Sequence, residues 1–455
     1  MKLSEIQSTL RDLNAPPTKS LGQNFLHDRN LAEWTVAQLE IEPGDRWLEI
    51  GPGLGSLTDF ALQRSGNGVL IEKDDRLISF LRNRFPSLEV VHGDASRFDV
   101  RDLQKHGSVK VFGNLPYYVS SQILFNFTTE TAPVVKLVFT LQRELAERLA
   151  ASDSTKAYGA PTVLIGRTWK VQLLRTLPPS VFSPVPKVDS AVVTLTRRGA
   201  DEMPACDGSR FSELVKLGFS QRRKQLGNLI SGALAEWRNA FDTLSIPQTV
   251  RAENLSIPQW CQLAAWSEHG PSHCSQHGAQ DVHGEIFDIV DKKDRIIGQG
   301  SRHEVHSKKL LHRAVHVFVF NKKHELFLQR RSRWKDVCPL LWDSSAAGHV
   351  DSGRDYDETA KREAREELGV DVTPVFAGRI EACENTGHEF VNLYQAQHEG
   401  PFILPPAEID SGEWFSQEQI KEWIAARPSD FAPGFLSCWA VWIDSQAEFK
   451  NRPAI

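Results

Sequence analysis

The sequence predicts an α/β domain built on a parallel sheet, then a small helical domain, then a separate α+β domain. Three observations carry this. In the first half, short β-rich runs alternate with stretches of helical spacing, the pattern of a sheet wound by helices on both faces. After about residue 200 the spacing becomes helical. Residues 268–285, EHGPSHCSQHGAQDVHGE, are rich in His, Ser, Gly and Gln without an apolar period and read as a linker. A chain of 455 residues has room for two or more domains. The expected boundaries are 1–200 for the sheet domain, 201–268 for the helical domain, 269–280 for the linker and 281–455 for the last domain.

The elements follow in order. RWLEIGPG (46–53) is a strand running into a glycine turn, and GVLIEKD (68–74), LEVVHGD (88–94), VKVFGN (109–114) and VVKLVFTL (134–141) are further strands. LTDFALQRS and DRLISFLRNRF between them have helical spacing. FSELVKLGFSQRRKQLGNLISGAL (211–234) is expected to be helical, and IPQWCQLAAW (257–266) forms a short helix. Beyond the linker, EIFDIVD, HVFVFN, ELFLQRR, FAGRIEAC and FVNLYQAQ read as strands. DYDETAKREAREELG (355–369) is a helix opened by acids and closed by Gly369, and QEQIKEWIAAR is a late helix.

Hydrophobic residues at 40% and charged residues at 24% exclude long disorder. No run approaches the ~18 apolar residues of a membrane span, and MKLSEIQSTL has no signal-peptide apolar core. A cytoplasmic protein without a membrane partner is expected. The six cysteines form no CxxC pair, which argues against a zinc ribbon or a disulfide framework. The net charge of −5 is uneven: residues 1–268 hold 31 Lys and Arg against 29 Asp and Glu, and the remainder 22 against 29. Residues 101–224 hold 18 against 10, a basic excess that suits a polyanion. The four linker histidines (269, 273, 277, 283) are expected to be solvated rather than to form a metal tract.

Glu49-Ile-Gly-Pro-Gly-Leu-Gly55 sits where a strand enters a helix. Gly51, Gly53 and Gly55 permit a tight turn and close approach of a ligand to backbone. Glu72 ends the next strand, where a carboxylate can hold ribose hydroxyls, and Asp94 ends the following one, where it can accept from an adenine amine. No basic residue accompanies the turn, so a nucleoside cofactor without phosphates fits as well as a dinucleotide. Asn114-Leu-Pro-Tyr117 follows the fourth strand. The Asn114 side chain and the Leu115 carbonyl offer two acceptors to one amino group, Pro116 restricts Leu115, and Tyr117 offers a stacking face for a base.

SLGQNFL (20–26), EIGPGLGSLT (49–58), GNLPYYVSSQIL (113–124), KAYGAPTVLI (156–165), FSPVPKVDSAV (182–192) and FSQRRKQLGNLI (219–230) together resemble the rRNA adenine N6-dimethyltransferase family over about residues 10–268. Leu115 and FSPVPKVDS favour its small-subunit branch over the branch that methylates large-subunit rRNA. The resemblance implies a Rossmann-like fold that binds S-adenosylmethionine through Asn24, Leu26, Gly51, Glu72, Asp94 and Asn114, with Gly53 and Gly55 shaping the turn. It implies a target-base pocket at Asn114, Leu115, Pro116 and Tyr117, with Phe182 as a second stacking face. It also implies an RNA-facing cluster of Arg222, Arg223 and Lys224 on the late helix of an RNA-binding helical domain. The substrate implied is a hairpin loop near the 3′ end of 16S rRNA in the pre-30S particle, dimethylated at two adjacent adenosines.

In the last domain, Gly348-His-Val-Asp-Ser-Gly-Arg354 and Arg362-Glu-Ala-Arg-Glu-Glu-Leu-Gly-Val370 have the spacing of a Nudix box. On a helix Glu363 and Glu367 share one face with Glu366 beside them, a cluster that repels itself unless a cation lies between. Oxygen ligands favour Mg²⁺ or Mn²⁺, which would serve hydrolysis of a small-molecule diphosphate. The flanks VHSKKLLHRAVHVFVFN, LFLQRRS and LWDSSAAGHV resemble the Nudix hydrolase branch related to isopentenyl-diphosphate isomerase. Ser344-Ser345-Ala346-Ala347 supplies no cysteine before the box, which argues against isomerase activity. Arg354 stands where that family has a glutamate opposite the box arginine, here Arg362, so the two arginines are expected to face each other, with Asp355 or Asp357 compensating. The competing expectation makes the Nudix hydrolase the main activity and the methyltransferase part a non-catalytic RNA anchor.

Overall fold

The computed structural model describes residues 1–18, 21–199, 202–269, 286–332, 335, 337–405 and 408–450. Beyond residue 269 the expected linker lies outside the described residues, as do His273, His277, His283 and Ser20. The chain divides into two compact units, Met1–Cys274 and Ser275–Ile455. Among the described residues no helix is long and apolar enough to cross a membrane.

The first unit holds a seven-stranded sheet. Its strands are β1 (Arg46–Ile50), β2 (Gly68–Glu72), β3 (Glu89–His92), β4 (Val109–Asn114), β5 (Val134–Gln142), β6 (Trp169–Leu177) and β7 (Ser190–Arg197). Their spatial order is β3-β2-β1-β4-β5-β7-β6, parallel from β3 to β5 and antiparallel across the last two pairs. The order reverses between β1 and β4, so a crevice opens at the carboxyl ends of these strands. β1 and β4 approach closely at Gly113, where a Cβ would meet the Ile50 carbonyl oxygen at 2.4 Å. β6 and β7 were not anticipated: β6 is an edge strand with several outward polar residues, so its apolar run is broken.

Two apolar clusters cover the faces of this sheet, one containing Trp47, Phe60, Leu77 and Phe112, the other Val111, Phe127, Phe139 and Trp169. A third cluster, with Phe211, Leu226, Phe241 and Trp260, joins the helices Gly208–Gly218, Leu226–Ile230, Trp237–Thr243 and Ile257–His269. The expected long helix over 211–234 is interrupted. It ends at Gly218, and residues 219–225 form a turn in which the Ser220 hydroxyl donates to the Leu217 carbonyl at 2.6 Å. A hydroxyl that takes up a backbone carbonyl competes with helix continuation.

The second unit contains a hairpin, β8 (Ile286–Val290) with β9 (Ile296–Ser301), and a seven-stranded mixed sheet. That sheet comprises β10 (His312–Phe320), β11 (Leu326–Arg331), β12 (Trp342–Asp343), β13 (Ala346–His349), β14 (Val375–Ile380), β15 (Glu389–Gln397) and β16 (Ile409–Phe415). The order is β12-β11-β10-β15-β14, with β13 on β10 and β16 on β11. β10 and β15 run parallel from His312 opposite Glu389 to Phe320 opposite Gln397. The helix Tyr356–Leu368 buries Ala360, Glu363, Ala364, Glu367 and Leu368. Asp355 caps its start by accepting from the Glu358 N–H, and Gly369 at φ 70° ends it, as the left-handed conformation requires. The helix Pro433–Lys450 supplies Phe435, Trp439 and Trp442 to an aromatic cluster with Phe318 and Phe320.

Candidate functional site

In the first unit the carboxyl ends of β1, β2, β3 and β4 frame a cleft of about 910 Å³, its mouth included. Asn24, Leu26, Gly51, Gly53, Glu72, Asp94, Asn114 and Pro116 all lie on its wall. Gly51 has φ 64° and a Cβ there would meet nothing within 4 Å, so the turn leaves an open cradle beside the backbone. Gly53 at φ 57° lies against the Phe25 ring, and Gly55 at φ 84° against Phe85, so these two permit packing rather than ligand approach. The segment 21–26 closes one side of the cleft because Phe25–Leu26 pairs with Phe182–Ser183.

Glu72 is buried. Its carboxylate accepts from the N–H groups of Gly53 at 3.1 Å, Lys73 at 2.9 Å and Asp74 at 2.8 Å. Burial nevertheless raises its pKa above the ordinary range. A buried carboxylate aimed by the glycine turn fits the hydroxyls of a ribose. Asp94 behaves oppositely: burial works to raise its pKa, but the Lys73 ammonium and Ser96 outweigh it and hold it at about 2. Glu49, also on the wall, is fully buried with its pKa pushed up to about 8, and accepts from the Thr58 hydroxyl at 2.6 Å.

Asn114 ends β4, and its side-chain N–H donates to the Asn24 carbonyl at 2.7 Å. That bond leaves the amide oxygen as an acceptor. The Leu115 side chain is buried and its N–H donates to the Thr140 carbonyl at 3.1 Å. Tyr117 is half-buried, its hydroxyl 2.5 Å from the Ser190 hydroxyl, and burial raises its pKa. The adjacent Tyr118, overlooked in the sequence, lies on the cleft wall and is 56% exposed. Phe182 is not presented as a stacking face: pairing of its two-residue strand packs the ring into the core at 1% exposure. Arg222, Arg223 and Lys224 are all exposed but occupy the turn at 219–225, not a helix. Arg222 Nε donates to Glu253 at 2.6 Å and its Nη2 to the Lys156 carbonyl at 2.6 Å.

In the second unit Glu363 and Glu367 are buried against β13 and β11. Glu367 accepts from the Ala347 N–H and the Gln329 side chain, both at 3.0 Å. Burial raises the pKa of both carboxyls; Glu367 adds to the rise at Glu363, and Glu408 to that at Glu367. Gly348 is required here, because a Cβ would lie 2.2 Å from the Glu363 carboxyl. Glu366 stands at the rim, its side chain 58% exposed. Two facing like charges, buried and partly paired, fit a divalent cation.

Arg362 and Arg354 do not face each other. Arg362 Nη1 lies 3.3 Å from Asp351, while its Nη2 donates to Glu363 at 2.7 Å and to the His349 carbonyl at 3.1 Å. Arg354 turns out to Glu358 at 3.6 Å. The compensating acid is therefore Asp351. Asp355 is committed to its cap, and Asp357 accepts from the Tyr394 hydroxyl at 2.5 Å. Ser344 and Ser345 are wholly buried and bonded to His316 and the Phe327 carbonyl.

Sequence reasoning missed a second cluster beside the box. His306, His312, His349 and Glu389 bring one ligand atom each within 4.8 Å of one another. His312 Nδ1 lies 2.9 Å from the Leu310 carbonyl, which fixes Nε2 as the free lone pair, 3.4 Å from Glu389. His349 Nε2 lies 3.0 Å from the same carboxylate, and His306 Nε2 is buried without a hydrogen-bond partner. Burial and the two neighbouring imidazoles lower the His306 pKa to about 4, so the ring is neutral and able to ligate. The sequence signal was a pair of histidines six apart, before and at the start of β10, plus the histidine of the box. Nothing in their spacing tied them to Glu389, which arrives by the parallel pairing of β15 with β10.

A strand order of 3-2-1-4-5-7-6 with acids at successive strand ends and an amide at the fourth defines a Rossmann-like methyltransferase fold. Residues 17–269 match the family model for ribosomal RNA adenine dimethylase, and residues 310–435 that for the NUDIX domain. The chain belongs to the ribosomal RNA adenine dimethylase family and carries a Nudix domain after it. Ribosomal RNA small subunit methyltransferase A of Francisella tularensis subsp. novicida (strain U112) is 36% identical over 251 residues, 54% of this chain and 95% of the relative. The protein of that name from Vibrio cholerae serotype O1 (strain ATCC 39315 / El Tor Inaba N16961) is 39% identical over 252 residues, 54% and 92%. A dimethyladenosine transferase structure from Plasmodium falciparum is 24% identical with a TM-score of 0.46, covering 52% of this chain and 95% of that one.

Proposed function

We propose that residues 1–268 dimethylate the N6 atoms of two adjacent adenosines in a hairpin loop near the 3′ end of small-subunit rRNA, on the pre-30S particle. The arrangement of Glu72, Asp94 and Asn114 around one cleft carries this reading. S-adenosylmethionine supplies the electrophilic methyl group when bound. Glu72 holds the ribose hydroxyls and Asp94 the adenine amine. The Asn114 side-chain oxygen and the Leu115 carbonyl accept from the target N6 amine. That localises a lone pair otherwise spread into the ring, and positioning supplies most of the rate. Tyr117, tethered by Ser190, is the face for the target base. A loop adenosine leaves its stack at a cost of a few kcal/mol or less. The turn bearing Arg222, Arg223 and Lys224 contacts the RNA backbone. A cytoplasmic setting accompanies that substrate and suits the free cysteines.

The second unit, in our reading, hydrolyses a small-molecule diphosphate. Glu363, Glu366 and Glu367 hold Mg²⁺ or Mn²⁺, which supplies Lewis acidity toward the diphosphate and its attacking water. The orphaned His306 Nε2 supports a second cation at His306, His312, His349 and Glu389, where imidazoles suit a transition metal such as Zn²⁺. One paired experiment tests both halves: tritiated methyl transfer into undermodified small-subunit particles, beside phosphate release from a panel of diphosphates. Methyl transfer is expected. Phosphate release alone would make the first unit an RNA anchor and the hydrolase the main activity.

A further inference from the structure

Lys73 stands beside Glu72 on the cleft wall and reaches across to Asp94. Its Nζ lies 2.8 Å from Asp94 Oδ2. The other oxygen, Oδ1, already accepts from the Ser96 N–H at 3.0 Å and the Ser96 hydroxyl at 2.7 Å. Both oxygens of the carboxylate that our reading assigns to the adenine amine are thus engaged by the chain itself. Lys73 is anchored at the end of β2, and Gly93, just before Asp94, donates its N–H to the Glu72 carbonyl at 2.9 Å. The two side chains therefore face each other by sheet register, not by chance approach of mobile loops. Glu72, one residue before, needs no such partner, because three backbone N–H groups satisfy it. Tyr118 borders the same side of the cleft and interacts with Lys73.

We propose that Lys73 is a specificity-determining residue that competes with the cofactor's adenine amine for Asp94. An ammonium is the stronger donor to a carboxylate, and an aromatic amine displaces it only when the rest of the nucleoside is seated. The pair is half-exposed, with side-chain exposures of 46% and 26%. Its hold is accordingly modest, equivalent to a factor of about two to five in affinity. The device raises the KM for S-adenosylmethionine without touching the methyl-transfer step, and it selects for a ligand whose ribose engages Glu72 at the same time. This rests on the assignment of Asp94 to the adenine amine.

The test is a double-mutant cycle on the full chain, titrating S-adenosylmethionine by calorimetry. Lys73→Leu keeps the aliphatic stem and removes the ammonium, and Lys73→Met serves the same purpose with a more flexible stem. Both are expected to bind about two- to fivefold more tightly than the unaltered chain, with KM lowered and kcat unchanged. In an Asp94→Ala background the same substitution should have no effect. Lys73→Arg, which keeps the pair, should behave as the unaltered chain does. Equal or weaker binding by both Lys73→Leu and Lys73→Met, while Asp94→Ala alone weakens binding, overturns the competition and leaves the Asp94 assignment standing. If Asp94→Ala alone leaves affinity unchanged, the assignment itself fails, and the proposal with it.

Discussion

Arg362 Nη1 lies 3.3 Å from the Asp351 carboxylate, so the acid that pairs the box arginine stands three residues before Arg354. Arg354 itself turns out to Glu358, so the partner of Arg362 comes from elsewhere in the same loop. Removing Asp351 would leave Glu363 and Glu366 as the carboxylates paired with Arg362, in competition with a cation. Asp351→Ala is expected to weaken Mn²⁺ binding about two- to fivefold, measured by electron paramagnetic resonance titration. Arg354→Glu should leave it within error. A marked gain from Arg354→Glu, with Asp351→Ala silent, would return the pairing role to position 354.

Asn114→Ala should lower methyl transfer by ~10²–10³, the usual loss for one hydrogen bond that acts on the reacting group. Cofactor affinity should change little, because Glu72 and Asp94 remain. Single-turnover assays on undermodified particles separate the two effects. Near-normal turnover would remove Asn114 from the reaction.

Glu49 carries a pH signature. Its folded pKa of about 8 stands above its ordinary value of 4.5, with burial the main cause. Between those values the folded chain holds a proton that the unfolded chain has lost, so stability falls as pH rises through the window. It is fully present below the ordinary value and gone above about 8. Glu49→Gln keeps an acceptor for the Thr58 hydroxyl and cannot ionise. Melting curves at pH 5 and pH 8.5 should show the unaltered chain losing stability relative to the variant, by an amount on the order of a few kcal/mol. Parallel loss in both proteins would show that Glu49 ionises without penalty.

The cleft was more legible than the rest because its parts are local. The glycine turn, Glu72, Asp94 and Asn114 each sit at the end of a parallel strand, and strand ends can be read from short apolar runs. Where pairing across distant segments decides the environment, the sequence was silent. Phe182 lost its expected exposure to a two-residue pairing with Phe25–Leu26, and Glu389 joined three histidines only through the register of β15 on β10. The basic run at 222–224 is placed on a helix by the family resemblance, yet the helix ends at Gly218 and the run lies in the turn that follows, where the Ser220 hydroxyl donates to the Leu217 carbonyl.

That turn changes what salt dependence should show. Arg222 is already paired with Glu253, whereas Arg223 and Lys224 are exposed beside it. Arg223→Ala and Lys224→Ala should each reduce the slope of log affinity against log salt by roughly 0.7–0.9, and Arg222→Ala by less. Filter binding of the rRNA hairpin across a salt series gives the slopes. A triple variant with an unchanged slope would move the RNA face elsewhere.

The quartet beside the Nudix box leads to the last prediction. Three imidazoles and one carboxylate have the donor set of a transition-metal site, whereas the box carboxylates have that of Mg²⁺ or Mn²⁺. The two sets adjoin through β13, since Ala347 donates to Glu367 and His349 belongs to the quartet. The full chain, stripped with a chelator and titrated with Co²⁺, should therefore develop visible d–d absorption that saturates at one equivalent. His306→Ala should abolish that absorption while Mn²⁺ binding at the box persists. Glu367→Gln should do the reverse, weakening Mn²⁺ binding and sparing the Co²⁺ signal. Loss of both signals in either variant would mean that the clusters act as one site. A Co²⁺ signal unchanged by His306→Ala and by His312→Ala would remove the quartet as a metal centre. The unpartnered His306 Nε2 would then be a polar atom left buried by packing alone, its ring held neutral by burial and by the two imidazoles around it.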